Sequence, residues 1–260
     1  MQRTSKQRTR LLCAAILAVI LYGYSQARTH EVIHGGSYVI RVAGGSSHYL
    51  ALYVHTRPIL SATEWLESRE VAQVHLGPAR PNGTTRLEGP STGSDVRSAL
   101  WNGWTAACLI LSDASTHQAP QKCSTTLWGL GSRPLAMIPE NLSGRSAGLA
   151  DGLAYVEYLG AGDLSGGRIV AATGVLDGSG YVGEIAGARF KTEAAIRAGA
   201  NILFVPAENL VEARIAAELY RDKAPLQIIS VRNLREAVIV LCAQPAVRDE
   251  ACALLDTSGD

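Results

Sequence analysis

The amino-acid sequence predicts an α/β (α+β) fold, a mixed sheet packed on helices. Three observations carry that expectation. Strand-like and helix-like stretches alternate from residue 168 to residue 242, the pattern of a sheet covered by helices. Two β-rich runs, 38–42 and 49–54, precede them. A chain of 260 residues with 47% hydrophobic content can bury one sizeable core, with at most a small appendage. The formal net charge of +1 gives no general attraction to nucleic acid, and no run of like charge forms an interaction tail.

Residues 1–27 read as a targeting segment. Arg3, Lys6, Arg8 and Arg10 precede the apolar run 11–24, and Ser25-Gln26-Ala27 resembles a small-x-small cleavage site. As a helix the run would span roughly 21 Å at ~1.5 Å per residue, short of a ~30 Å hydrocarbon core. That length fits a cleaved signal peptide better than an anchor. An uncleaved segment would tie the chain to the membrane, since flanking residues can snorkel and the bilayer can thin. Either way the expected location is exported, on the extracellular or cell-envelope face, secreted or membrane-anchored. Cys13 lies too early in the run for lipidation and reads as filler.

Residues 28–90 form a β-rich region of unclear role. The runs 38–42 and 49–54 flank the hairpin signal Ala43-Gly44-Gly45-Ser46-Ser47, and the turn Pro81-Asn82-Gly83 marks a loop over 78–90. His30-Glu31-Val32-Ile33-His34 matches the zinc-protease pattern H-E-x-x-H. That chemistry needs both histidines on one face of a stable helix. Gly35-Gly36 follows at once, and Val32 and Ile33 are β-branched, so the expectation is a polar strand edge and no metal site.

A helix is predicted over 94–111, capped by Ser94-Asp95, with Val96, Leu100, Trp104, Ala107 and Leu111 at helical spacing. Trp101 and Trp104 suit a core face better than a stacking platform. A polar loop over 112–121 and a strand over 135–139 follow. Beyond residue 146 a helix carries Leu149, Leu153, Val156 and Leu159 on one face and ends near Gly160 and Gly162. Strands are expected at 168–175, 181–185, 201–206 and 226–231, and helices at 191–199, 207–220 and 234–242. The turn Asp177-Gly178-Ser179-Gly180 joins the first two of these strands.

The chemistry centres on Gly144-Arg145-Ser146-Ala147-Gly148. Small neighbours let a serine hydroxyl stand clear of the backbone, and G-x-S-x-G is the spacing of a nucleophile elbow. In α/β-hydrolases the triad histidine follows the serine. Here His30, His34, His48, His55, His75 and His117 all precede it, so that triad is excluded. Lysine is scarce: Lys6, Lys122, Lys191 and Lys223. Arginine cannot give up its proton at working pH, so it is no general base. Lys191 opens Lys191-Thr192-Glu193-Ala194-Ala195-Ile196-Arg197-Ala198-Gly199, a short helix with a glycine stop. The helix dipole and burial both favour a neutral amine there. Ser146 with Lys191 is the expected dyad, with backbone N–H groups near the helix start as oxyanion donors.

Cys108, Cys123, Cys242 and Cys252 remain after export, an even count that permits two disulfides in three connectivities. Proximity suggests Cys108–Cys123 and Cys242–Cys252, against the alternative of buried free thiols. No C-x-x-C pair suggests a zinc or redox site. Sequons occur at Asn82 and Asn141; a glycan on Asn141 would crowd the serine, and both read as incidental.

The serine loop, the strand-turn-strand over 170–175 and 182–187, Lys191 before its helix, and Val205-Pro206-Ala207-Glu208-Asn209 together resemble the Lon-type proteolytic domain. The resemblance is strong over 143–242 and reaches back to residue 94. It implies Ser146 as nucleophile, Lys191 as base, Thr173 as a group positioning the lysine, and Gly144, Ala147 and Gly148 as supporting residues. Arg145 stands where the family has proline, Ala186 where it has the first glycine of the turn, and Ser143 where ATP-dependent members carry aspartate. No G-x-x-x-x-G-K-[ST] loop occurs, so no cofactor is implied. The implied protein is an exported, ATP-independent, Lon-like serine endopeptidase acting on a peptide or an unfolded protein. Such domains commonly form rings, which adds a homo-oligomer to the expectations. The alternative is a catalytically silent Lon-like module used for binding or scaffolding. The implied organisation is 1–27 signal or anchor, 28–90 β-rich, 91–245 proteolytic domain and 246–260 tail.

Overall fold

The computed structural model describes residues 12–22, 25, 30–41, 48–59, 61, 75–78, 93–112, 123, 144–160, 162–220, 225–244, 247 and 252–253. The turn expected at 43–47, the loop over 79–90, the loop over 113–121, the strand at 135–139, both sequons and Ser143 lie outside these residues. The chain divides into two compact units, Met1–His34 with His55–Arg86, and Gly35–Val54 with Leu87–Asp260.

In the first unit, residues 12–22 are helical. Among the described residues no helix is long and apolar enough to cross a membrane. Strand β1 (His30–Arg41) begins here and pairs antiparallel with β3 (His75–Pro78), His30 opposite Pro78 and Ile33 opposite His75. The H-E-x-x-H stretch is therefore strand.

The second unit holds the rest of β1, the start of β2 (His48–Pro58), β4 (Val170–Ala172), β7 (Ile202–Pro206) and β8 (Gln227–Val231), side by side in that order. β2–β4, β4–β7 and β7–β8 are all parallel, with Tyr49 opposite Val170, Val170 opposite Ile202 and Ile202 opposite Gln227. The mixed-sheet expectation thus resolves into a mostly parallel sheet packed against helices. The division expected at residues 90 and 91 also falls differently. Tyr49-Leu50-Ala51 pairs with β4, so this β-rich piece is built into the serine-bearing unit.

Alternate residues of each strand enter two separate cores. Tyr49, Ala51, Val170, Ala172, Ile202 and Phe204 face one cluster, with Trp104, Leu149, Leu153, Leu234 and Leu241. Leu50, Leu52, Ala171, Leu203 and Val205 face the other, with Ala194, Ala195 and Ala213. Strands covered on both faces read as unbroken apolar runs, as Ile202-Leu203-Phe204-Val205 does.

The first core is covered by α1 (Gly93–Ile110), α2 (Gly148–Gly160) and α5 (Leu234–Cys242). Trp104 meets Tyr155 edge to face, 5.3 Å between centroids, while Trp101 is exposed. The periodicity of α2 predicted one buried face, yet every residue but Tyr158 is buried. The reason is that α1, α5, β4 and β5 (Val175–Leu176), the last paired antiparallel with β6 (Val182–Gly183), all pack on it. The second core is covered by α3 (Ala188–Arg197) and α4 (Leu210–Glu218), the latter preceded by a 3-10 turn at Ala207–Asn209. Both disulfides form, Cys108–Cys123 closing the end of α1 and Cys242–Cys252 the end of α5, so these four are not free thiols. Cys13 is free and exposed.

Candidate active site

The strand expected over 168–175 is broken at Thr173-Gly174, and the break builds the site. After β4 the chain leaves the sheet and meets the serine turn instead. Gly174 N–H donates to Ser146 O at 2.8 Å, and Leu149 N–H donates to Gly174 O at 3.2 Å. Thr173 Oγ1 adds a bond to Ser146 O at 3.2 Å, while Thr173 N–H stays bound to Phe204 O of β7 at 3.1 Å. The serine backbone is thus tied to the parallel sheet. The resemblance implied that Thr173 positions the lysine; its bond runs to the serine.

Each small residue of the turn has a separate reason. Gly144 has φ 102°, in the left-handed region that favours glycine. Gly148 opens α2 so close to β5 that an added Cβ would stand 2.9 Å from Leu176 N. Its own N–H donates to Arg145 O at 3.0 Å. That bond tightens the turn and occupies the Gly148 N–H. The N–H groups of Ser146 and Ala147 donate to nothing among the described residues.

Lys191 comes from α3. That helix starts at Ala188, three residues earlier than the sequence pattern suggests, with Gly187 as cap at φ 69°. Lys191 N–H already bonds Gly187 O at 3.1 Å, so the helix-end charge acts on it less than a first position would imply. Lys191 is 0% and Ser146 6% exposed, and burial penalises a charged amine. Lys191 Nζ donates to Ser146 Oγ at 2.9 Å.

A residue given no role by sequence also shapes the site. Asn209 is buried, and its side chain grips Ile185 twice: Oδ1 accepts from Ile185 N at 2.9 Å, and Nδ2 donates to Ile185 O at 2.9 Å. This clamp sets the backbone that turns into α3. The signal was present in Val205-Pro206-Ala207-Glu208-Asn209, but a buried amide clamp looks like any polar residue after a strand.

Asp151, also unforeseen, lies in the first turn of α2 and is 3% exposed. Burial pushes its carboxyl up to about 8. The Tyr38 phenol is pushed up as well, chiefly by burial and then by the Asp151 charge. Among the described residues no three His, Cys, Asp or Glu side chains gather as a metal-binding set. No protein-family model matches the chain, and no curated protein matches it.

Proposed function

We propose that this chain is an ATP-independent serine endopeptidase with a Lon-like proteolytic fold, working through a Ser146–Lys191 dyad. One observation carries the reading: a buried amine lies 2.9 Å from a buried hydroxyl at the tip of a glycine-bounded turn. A general base must sit within hydrogen-bond reach of the proton it abstracts, and this one does. Burial disfavours an ammonium, which favours the neutral amine that a base requires.

The sequence of steps follows from these groups. Ser146 Oγ attacks the peptide carbonyl while Lys191 Nζ takes its proton. The N–H groups of Ser146 and Ala147 hold the oxyanion. The lysine returns the proton to the leaving amine nitrogen, the C–N bond breaks, and an acyl-enzyme remains. Water, deprotonated by Lys191, then attacks the ester; the C–O bond to Ser146 breaks, the lysine returns the proton to Ser146 Oγ, and the acid is released. The substrate is a peptide or an unfolded protein segment, for which no unfoldase is encoded in this chain. The two disulfides favour an oxidising, exported location, secreted or held by the N-terminal segment.

A fluorophosphonate probe tests the reading directly. It should label the folded protein at Ser146 under mildly alkaline conditions, not at all in Ser146→Ala, and about a thousand-fold more slowly in Lys191→Ala. Unlabelled, correctly folded wild-type protein would leave the binding or scaffold role in its place.

A further inference from the structure

Arg145 precedes the nucleophile by one residue, yet the two side chains part company. The turn closed by Gly148 N–H to Arg145 O points Ser146 into the protein, where it is buried, and leaves Arg145 exposed. Among the described residues the Arg145 side chain has no hydrogen bond or ion pair. The dyad contributes no anion to neutralise it, since serine and lysine carry none. A permanent cation therefore stands exposed, next in sequence to the reacting hydroxyl.

We infer that Arg145 is a specificity-determining residue that selects substrates carrying a carboxylate close to the cleaved bond. This inference rests on the hydrolase reading of Ser146 and Lys191. Consecutive Cα atoms are about 3.8 Å apart, and an extended peptide advances about 3.3 Å per residue. A guanidinium on its flexible stem thus covers one or two substrate positions beside the acylated carbonyl. Its planar fork matches a carboxylate with two parallel N–H···O bonds, which a neutral amide side chain cannot reproduce. The carboxylate can be an Asp or Glu side chain, or the terminus of the substrate chain itself. Arg145 guides the substrate; it takes no part in proton transfer.

Synthetic peptide libraries with one fixed position test it, that position holding Asp, Asn, Glu or Gln, each made with an amidated or a free C-terminus. Turnover is read on wild type, Arg145→Gln and Arg145→Glu. Binding of the fluorescent libraries is read on Ser146→Ala, with and without Arg145→Gln, so that recognition is measured apart from chemistry. Carboxylate peptides should outrun their amide twins roughly three- to five-fold in kcat/KM, the range of a partly exposed ion pair. High salt should shrink the ratio. Arg145→Gln should bring it to one, and Arg145→Glu should invert it. Preference among amidated peptides assigns the side-chain carboxylate, and preference limited to free C-termini assigns the terminal one. Turnover with the same acid-to-amide ratio in all three proteins overturns the inference and leaves the hydrolase standing. Arg145-dependent binding without turnover does the reverse, and neither binding preference nor turnover removes both.

Discussion

At the N-terminal end of α2, Lys191 Nζ lies 2.9 Å from Ser146 Oγ; at its C-terminal end, Tyr49 Oη lies 2.7 Å from Glu157 Oε2. Both pairs are buried; the first joins the turn that leads into α2 to α3, and the second joins α2 itself to β2. They differ in what their partners can exchange. Glu157 Oε2 also accepts from Leu164 N at 3.1 Å, and a backbone N–H can only donate. That end is a fixed junction. An amine and a hydroxyl, by contrast, can swap donor and acceptor roles once the amine is neutral, as proton transfer requires. Burial alone therefore does not separate a working pair from an architectural one; the freedom to reverse a hydrogen bond does.

The largest effect should come from Lys191→Met, which keeps the volume and removes the base. Hydrolysis should fall by about a thousand- to ten-thousand-fold, the value of a positioned general base. Thermal stability should hold or rise, because an apolar side chain replaces a buried amine. Steady-state kinetics beside a thermal melt read the two together. A variant that melts early as it loses activity would make this end as architectural as the other.

Between the two pairs sits Asp151, buried on α2 like Glu157, and its proton gives the next largest effect. Its folded value of about 8 stands above the usual unfolded value near 4. Between those pH values the native state holds a proton that the unfolded state has lost, so stability falls as pH rises toward 8. Asp151→Asn removes that slope. The variant should exceed wild type by about 4 kcal/mol at pH 7, and the gap should close near pH 4. Denaturant melts across that range read the difference, and parallel curves would mean that Asp151 is ionised in the folded protein.

Why these acids escaped the sequence is a matter of packing rather than pattern. Leu149, Leu153, Val156 and Leu159 mark one apolar face, which implies that Asp151 and Glu157 face water. Nothing local shows that α1, α5 and β5 close over the other faces too. The parallel pairing of Tyr49-Leu50-Ala51 with β4 was hidden for a related reason, since those segments meet only across the whole of α1 and α2. What was legible was local. Glycines around Ser146 mark a turn that needs them, Gly199 stops α3, and scarce lysines made Lys191 conspicuous. The break at Thr173-Gly174 lies between these cases. Its residues are strand-like, and only contact with the serine turn gives their hydrogen bonds another destination.

Tyr49→Phe tests the architectural end. Removing the phenol hydroxyl leaves a buried Glu157 oxygen short of one donor, which costs about 2 kcal/mol. The melting temperature should fall by roughly 4–8 °C for a chain of this size. The rate of probe labelling at Ser146 per folded molecule should not change at 25 °C. If labelling slows in step with stability, the two ends of α2 are coupled and the contrast drawn above is false.

Thr173→Val is the finest of these tests, because the Thr173 hydroxyl bonds the backbone of the serine turn. Its hydroxyl bond to Ser146 O is 3.2 Å long and is one of two on that carbonyl, the other being the firmer bond from Gly174 at 2.8 Å. Valine keeps the shape and the β-branch, so the loss in stability should be near 1 kcal/mol, the net value of one hydrogen bond. The effect on chemistry should be out of proportion to that loss. A turn held by one bond in place of two lets the hydroxyl drift from the amine, and a small misplacement of a reacting group is expensive in rate. Labelling should slow by about ten-fold in Thr173→Val and recover in Thr173→Ser, which restores the hydroxyl but not the methyl group. Recovery in the serine variant would tie the effect to the hydrogen bond. An equal loss in both would assign Thr173 to packing, and would place the alignment of Ser146 on the Gly174 bond alone.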